Sequence, residues 1–140
     1  MLEIRPYKKV DETQVIQIWA DCGLVVPQND PRADIQRKID VKRHLFLVGC
    51  IDGAVIATVM AGYEGHRGWL NYLAVKPDHQ GKGIGRSMVE KAEMLLRAEG
   101  CPKINLQVRR TNAKAIRFYE KIGYKVDDVV SLGKRIAEYQ

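Results

Sequence analysis

The sequence predicts an α/β domain, a mixed and mostly antiparallel sheet with helices packed on it. Two apolar runs, residues 45–51 and 54–63, flank Asp52-Gly53, a dipeptide that favours a type I′ hairpin, so they should be adjacent antiparallel strands. A third run, residues 69–75, leads through a glycine-rich loop into a strongly amphipathic helix pattern at 84–99 and then another apolar run at 103–108. Strand, loop, helix and strand in that order are long enough for a right-handed parallel crossover. The full order, β-α-α-β-β-β-α-β-α-β, is that of a mixed sheet rather than a doubly wound one.

The elements follow in turn. Residues 2–7 alternate weakly and form a first strand. Asp11 stands as an N-cap with Gln14 three residues on, and Val10 is placed to staple against Val15. Val15, Ile18, Trp19 and Cys22 share one helical face, and Gly23 supplies the stop. Asp30-Pro31 opens a second helix with an acidic cap and a proline in the first turn. Glu64-Gly65-His66-Arg67-Gly68 turns the chain into the fourth strand. Met88, Val89, Ala92, Leu95 and Leu96 form the buried stripe of the third helix, which Gly100 ends before Cys101-Pro102. A fourth helix runs from Asn112 or Ala113 to Ile122 and stops at Gly123, and residues 126–132 form a last strand.

The whole chain, residues 1–140, reads as one domain, without repeats, linkers or low-complexity tracts. It is 46% hydrophobic and 29% charged, the composition of an ordinary globular protein. No apolar run approaches the roughly 18 residues of a membrane span, and Met1-Leu2-Glu3-Ile4-Arg5 has no signal-peptide core, so a cytoplasmic location is expected. Cys22, Cys50 and Cys101 are odd in number and widely spaced, which argues against a disulfide framework or zinc site, and His44, His66 and His79 are equally scattered. No metal is expected. The net charge of +6 favours an anionic partner but does not choose among nucleic acid, acidic protein and phosphorylated small molecule. Arg32, Arg37, Lys38, Lys42 and Arg43 read as a solvated helix face; a second basic group is Arg109, Arg110, Lys114, Arg117, Lys121 and Lys125.

Gln80-Gly81-Lys82-Gly83-Ile84-Gly85-Arg86 carries the chemistry. Its glycines let backbone N–H groups turn inward, and the helix behind it adds unpaired donors and a positive dipole end, so the loop suits a phosphate. No Lys-Ser or Lys-Thr closes it, which excludes a Walker loop; Arg86 and Arg109 stand where a dinucleotide fingerprint needs a glycine and an acid. Taken alone, the cluster is equally a tight turn.

The element order, Gln80-x-x-Gly83-x-Gly85 after Leu73-Ala74-Val75, and Asn112-x-x-Ala115-x-x-Phe118-Tyr119-Glu120-Lys121-x-Gly123-Tyr124 together resemble the GNAT superfamily of N-acetyltransferases. Asn29-Asp30-Pro31, the segment from Gly62 to Gly68, Gly100-Cys101-Pro102-Lys103-Ile104 and Ser131-Leu132-Gly133-Lys134-Arg135 further resemble the small bacterial YpeA-type acetyltransferases. The resemblance implies a GNAT-like sheet splayed at the fourth and fifth strands with helices on both faces, and acetyl-coenzyme A (acetyl-CoA) as co-substrate. Gln80, Gly81, Lys82, Gly83, Ile84, Gly85 and Arg86 would hold its pyrophosphate, and the backbone of Leu73, Ala74 and Val75 its pantetheine arm. Asn112 matches an asparagine that caps the last major helix and reaches the pantetheine; Tyr119, on the same helical face, matches the general acid toward the departing thiolate. The alternative for Tyr119 is core packing beside Phe118. A homodimer also fits the resemblance.

The reaction so implied is direct attack of a primary amine, of a small molecule or a protein, on the thioester in a ternary complex. Its base is unassigned: Gln107 stands where ribosomal-protein acetyltransferases carry a glutamate, and Trp69 where histone-type relatives carry theirs, which leaves Glu64 and His66 as substitutes by chemistry. A backbone N–H near Leu73 would stabilise the oxyanion. Cys101 follows a helix-ending glycine and is a buried thiol rather than a nucleophile. Trp19, Asp30, Glu64 and His66 should line the acceptor side. The missing carboxylate at Gln107 supports a second reading, a non-catalytic acyl-CoA-binding or sensor domain. Nucleic-acid binding rests on charge alone and lacks interleaved aromatics.

Overall fold

The computed structural model describes residues 1–137. The chain divides into two compact units: Met1–Leu106, and a second that begins at Gln107. The first contains the sheet, whose strands are β1 (Glu3–Pro6), β2 (Phe46–Ile51), β3 (Ala54–Tyr63), β4 (Gly68–Val75) and β5 (Ile104–Asn105). They lie side by side in chain order. All neighbours are antiparallel except β4 and β5, which are parallel. Asp52 and Gly53 both have positive φ, 52° and 81°, as the type I′ turn between β2 and β3 requires.

Helices cover both faces. On one lie α1 (Glu12–Asp21) and α2 (Pro31–Lys42), whose Val15, Ile18, Trp19 and Ile35 pack with Phe46, Val48, Cys50, Val55, Met60 and Ala74 of the sheet. On the other lies α3 (Ile84–Ala98): a Cβ built on Gly49 of β2 would stand 2.9 Å from Met88 Sδ, so the missing side chain lets the helix pack tightly on the sheet there. Asp30 caps α2 as expected, accepting from the Arg32 and Ala33 N–H groups. No helix among the described residues is long and apolar enough to cross a membrane.

Three local expectations are corrected. Asp11 does not cap α1 with its side chain; its carboxylate turns back to the Lys8 N–H at 2.8 Å and to Arg5, while Gln14 reaches across to the Val55 N–H at 3.0 Å. Val10 is 80% exposed and staples nothing. Lys38 is not on a solvated face: its ammonium donates to the Ala61 carbonyl, and burial pulls its pKa below the usual lysine value.

The second unit holds α4 (Ala113–Lys121), ended by Gly123 at φ 103°. Residues 126–132 form no strand, although their sequence favours one. A strand needs a partner for its N–H and C=O groups, and the described part of this unit contains no other; Val126, Val129, Val130 and Leu132 are 75–90% exposed. The expected strand 103–108 is likewise cut to Ile104–Asn105.

Candidate active site

β5 pairs with β4 only at Gly68↔Ile104 and Trp69↔Asn105. From Leu70 onward β4 has no strand partner on that side among the described residues, which leaves main-chain groups of an extended segment without a ladder. On its other side β4 is bulged. Thr58 stands opposite Ala74 and Met60 opposite Asn71, so Val59 faces two residues, Tyr72 and Leu73.

Tyr72 sits at φ 53°, a left-handed conformation that bulky side chains avoid at a cost of about 1–2 kcal/mol. Several contacts hold it there. Its ring stacks on Trp19 with centroids 3.8 Å apart, its hydroxyl donates to Asp34 at 2.6 Å, and its carbonyl accepts from the Thr58 hydroxyl at 2.8 Å. Burial, and then the adjoining Asp34 carboxylate, push ionisation of the Tyr72 hydroxyl well above its ordinary value. Asp34 is itself paired with Arg37 at 2.6 Å. The bulge reverses the strand's alternation: Asn71 shares the α1/α2 face with Met60, and so do Tyr72 and Ala74 beyond it. Leu73 is the residue that this kink presents at the point where β5 has diverged.

The glycine loop follows. The Val75 carbonyl accepts from the Gln80 amide at 2.9 Å and from the Cys22 thiol at 3.3 Å, tying the loop to the strand end. Burial raises the Cys22 pKa, which keeps that thiol protonated. Gly81 and Gly83 have φ of 79° and 81°, and nothing lies within 4 Å of a Cβ built on either. Glycine is therefore needed for conformation, and the space in front stays free. Gly83 is the N-cap of α3, and no side chain caps that end; the Ile84, Gly85 and Arg86 N–H groups, which begin the helix, have no acceptor within it. Ile84 buries its side chain in the core, so it serves through its backbone. Arg86 is paired with Glu90 at 3.2 Å, and Lys82 is exposed. An uncapped helix start with open, positive-φ glycines fits a diphosphate.

In the second unit Asn112 Oδ1 accepts from the Ala115 N–H at 3.2 Å, a side-chain cap on α4. Tyr119 meets Phe118 and Tyr124 edge-on, with centroids 5.1 and 5.6 Å away, and burial pushes its pKa up to about 12. The Gln107 amide donates to the Ser131 hydroxyl.

Glu64 and His66 are not brought to the bulge. They stand in the turn before β4, and Leu73 lies roughly 17 Å farther along that strand at 3.3 Å per residue. The Glu64 carboxylate accepts the His66 and Arg67 N–H groups, and these bonds hold its pKa below the usual glutamate value. Trp19 is fully buried and lines no cleft, and Asp30 is spent on the α2 cap.

The family model described as acetyltransferase (GNAT) family matches residues 13–124, most of the chain and parts of both units. The chain belongs to the GNAT acetyltransferase family. It is 44% identical over 135 residues to an acetyltransferase of Yersinia enterocolitica, covering 96% of each chain. It is 46% identical over 140 residues to an acetyltransferase of Sodalis glossinidius, covering 99% of each. Among solved structures it resembles the PaiA N-acetyltransferase of Thermoplasma acidophilum in complex with coenzyme A, with a TM-score of 0.72 and 23% identity over 93% of each chain. It also resembles AAC(6')-Iy bound to a CoA bisubstrate analogue, with a TM-score of 0.78 and 15% identity over 96% of this chain and 99% of that one. These two likenesses carry the GNAT fold. As a GNAT protein the chain has the expected splay between β4 and β5, and its motif residues Leu73 to Arg86 run continuously from bulge to helix start. The residues that the sequence reading missed are Tyr72, Thr58 and Asp34. The sequence carries no sign of them: Gly68 and Ala74, six apart, would share a face on a regular strand, and only the structure shows Gly68 on the α3 side and Ala74 packed with α1 and α2.

Proposed function

We propose that this protein is a single-domain N-acetyltransferase, residues 1–140, that transfers an acetyl group from acetyl-CoA to a primary amine of a small molecule or protein, by direct attack in a ternary complex. The observation that carries this reading is the Tyr72–Leu73 bulge on the edge that β5 leaves open, followed at once by the uncapped start of α3. The N–H groups of Ile84, Gly85 and Arg86, with Gly81 and Gly83 in left-handed conformation, would hold the pyrophosphate, with Lys82 adding charge. The free edge of Leu73, Ala74 and Val75 would hold the pantetheine, with Gln80 fixing the strand end and Asn112 reaching an amide from the other motif.

Acetyl-CoA brings the activated thioester. The Leu73 N–H would polarise its carbonyl, and one such donor is worth about 10²- to 10³-fold in rate. As the acceptor nitrogen bonds to the carbonyl carbon and the C–S bond breaks, Tyr119 would supply a proton or hydrogen bond to the sulfur. Its raised pKa keeps the hydroxyl protonated at neutral pH, and makes hydrogen-bond donation more favourable than complete transfer to a thiolate. No carboxylate base is assigned. A lysine-like amine is about 99.9% protonated at pH 7, so the acceptor sheds its proton to solvent or to its own surroundings before attack.

Calorimetry with acetyl-CoA, followed by a thiol-release assay across a panel of amines, tests the reading. Binding with turnover on at least one amine is expected. Binding without turnover on any would favour the sensor reading, for which the Gln107 amide, engaged with Ser131, is the motivating observation. No binding at millimolar acetyl-CoA would overturn both.

A further inference from the structure

A buried chain of donors and acceptors leads from α1 to the strained residue of β4. Trp19 Nε1 donates to Thr58 Oγ1 at 2.9 Å, and Thr58 Oγ1 donates to the Tyr72 carbonyl at 2.8 Å. Trp19 and Thr58 have no exposed surface. The direction of this chain admits one assignment: an indole N–H can only donate and a carbonyl can only accept, so the Thr58 hydroxyl must take the first bond on oxygen and give its proton to the second. Thr58 is therefore not free to rotate, and the Tyr72 carbonyl is fixed toward β3.

The Tyr72 carbonyl and the Leu73 N–H belong to one peptide unit. In a trans peptide these two bonds point in opposite directions, and no cis peptide is present among the described residues. A carbonyl held by Thr58 thus sets the Leu73 N–H pointing away from that hydroxyl, on the part of β4 beyond its pairings with β5 at Gly68 and Trp69. The Trp19 ring, stacked on Tyr72, and Asp34, accepting from its hydroxyl, prevent the side chain from swinging the backbone back.

We propose that Thr58, oriented by Trp19, is a positioning residue that aims the Leu73 amide at the thioester carbonyl; this rests on the acetyltransferase reading above. It touches no substrate and acts through the Tyr72–Leu73 peptide alone.

The test compares wild type, Thr58→Val, Thr58→Ser and Trp19→Phe in acetyl-CoA affinity by calorimetry, turnover on an accepted amine, thermal midpoint, and the NMR shift of the Leu73 amide proton on adding acetyl-CoA. Thr58→Val keeps the shape and loses both bonds. Its kcat should fall about tenfold or more, a part of what losing an oxyanion donor outright costs, while acetyl-CoA affinity changes less than about threefold. The Leu73 amide response should shrink in parallel. Thr58→Ser restores the hydroxyl and should return kcat to within about threefold of wild type. Wild-type kcat in Thr58→Val, whatever its thermal midpoint, would overturn the proposal, as would a loss accounted for wholly by unfolded protein. Should Thr58→Val not fold, Trp19→Phe decides: it keeps the ring stack and frees the hydroxyl, and an unchanged kcat and Leu73 shift would overturn the proposal. A wild-type protein without turnover would overturn this proposal together with the acetyltransferase reading.

Discussion

Arg5 grips Asp11 with both terminal guanidinium nitrogens, at 2.8 and 3.0 Å. Asp11 is almost wholly buried and also accepts the Lys8 N–H, so this clamp joins β1 to the start of α1. Burial by itself would raise the Asp11 pKa; the Arg5 guanidinium and the Lys8 N–H outweigh it and hold the value below the ordinary aspartate range. The stabilisation is complete above the unfolded-state pKa of about 3.9 and is lost as pH falls through the lower folded-state value. Asp11→Ala should cost about 2–3 kcal/mol at neutral pH, since it strands a half-buried arginine. Urea unfolding of both proteins at pH 7 and below pH 3 checks this: their difference should narrow in acid, and a constant difference would refute the linkage.

The Tyr7 hydroxyl is buried and has no hydrogen-bond partner among the described residues, while its ring stacks on Phe46 at 4.5 Å. Tyr7→Phe keeps the stack and removes the stranded polar atom. Stability should rise by about 1 kcal/mol, read as a higher urea midpoint at unchanged slope. A fall of that size would mean that the hydroxyl has a partner.

Gly83 stands at φ 81° with open space before its missing Cβ. Gly83→Val should weaken acetyl-CoA binding at least tenfold, an expectation of about 1.4 kcal/mol in backbone strain and blocked approach, while the sheet stays folded. Gly83→Asn separates the two causes, because asparagine tolerates the left-handed region but still places a side chain before the N–H groups. Calorimetric affinity near wild type in the asparagine variant would leave conformation as the sole requirement.

Tyr119 is held by Phe118 and Tyr124, with its pKa pushed up to about 12 by burial. Tyr119→Phe should lower kcat by about 10²-fold, within the range for a positioned proton donor, with a much smaller effect on acetyl-CoA affinity. In the wild type the hydroxyl stays protonated below its raised pKa, so kcat should show no decline from its ionisation between pH 7 and 10. Unchanged turnover in the phenylalanine variant would return Tyr119 to a packing role.

The parts of this protein legible from sequence are those governed by local rules. Asp52-Gly53 demanded its turn, Asp30-Pro31 its helix start, and the 84–99 stripe its buried face. The glycine loop was visible because glycine at positive φ leaves a residue-specific mark. What escaped was decided by neighbours distant in the chain. Lys38 carries no sign in its own segment of the Ala61 carbonyl it meets, nor Asp11 of Arg5, and the strand propensity of residues 126–132 went unused for want of a partner. The Tyr72 bulge belongs with these, held by Trp19 and Thr58 from two other elements.

Because spatial neighbours in the sheet are also successive strands, assembly needs few long closures. The β2–β3–β4 meander has the shortest ones, through Asp52-Gly53 and residues 64–67, so it is the natural place for zipping to begin. The outer strands and helices would dock onto it afterwards. The proposed acetyl-CoA edge would then lie in the early-forming centre of the molecule, and mutations that loosen the β3–β4 register should slow refolding as well as lower turnover.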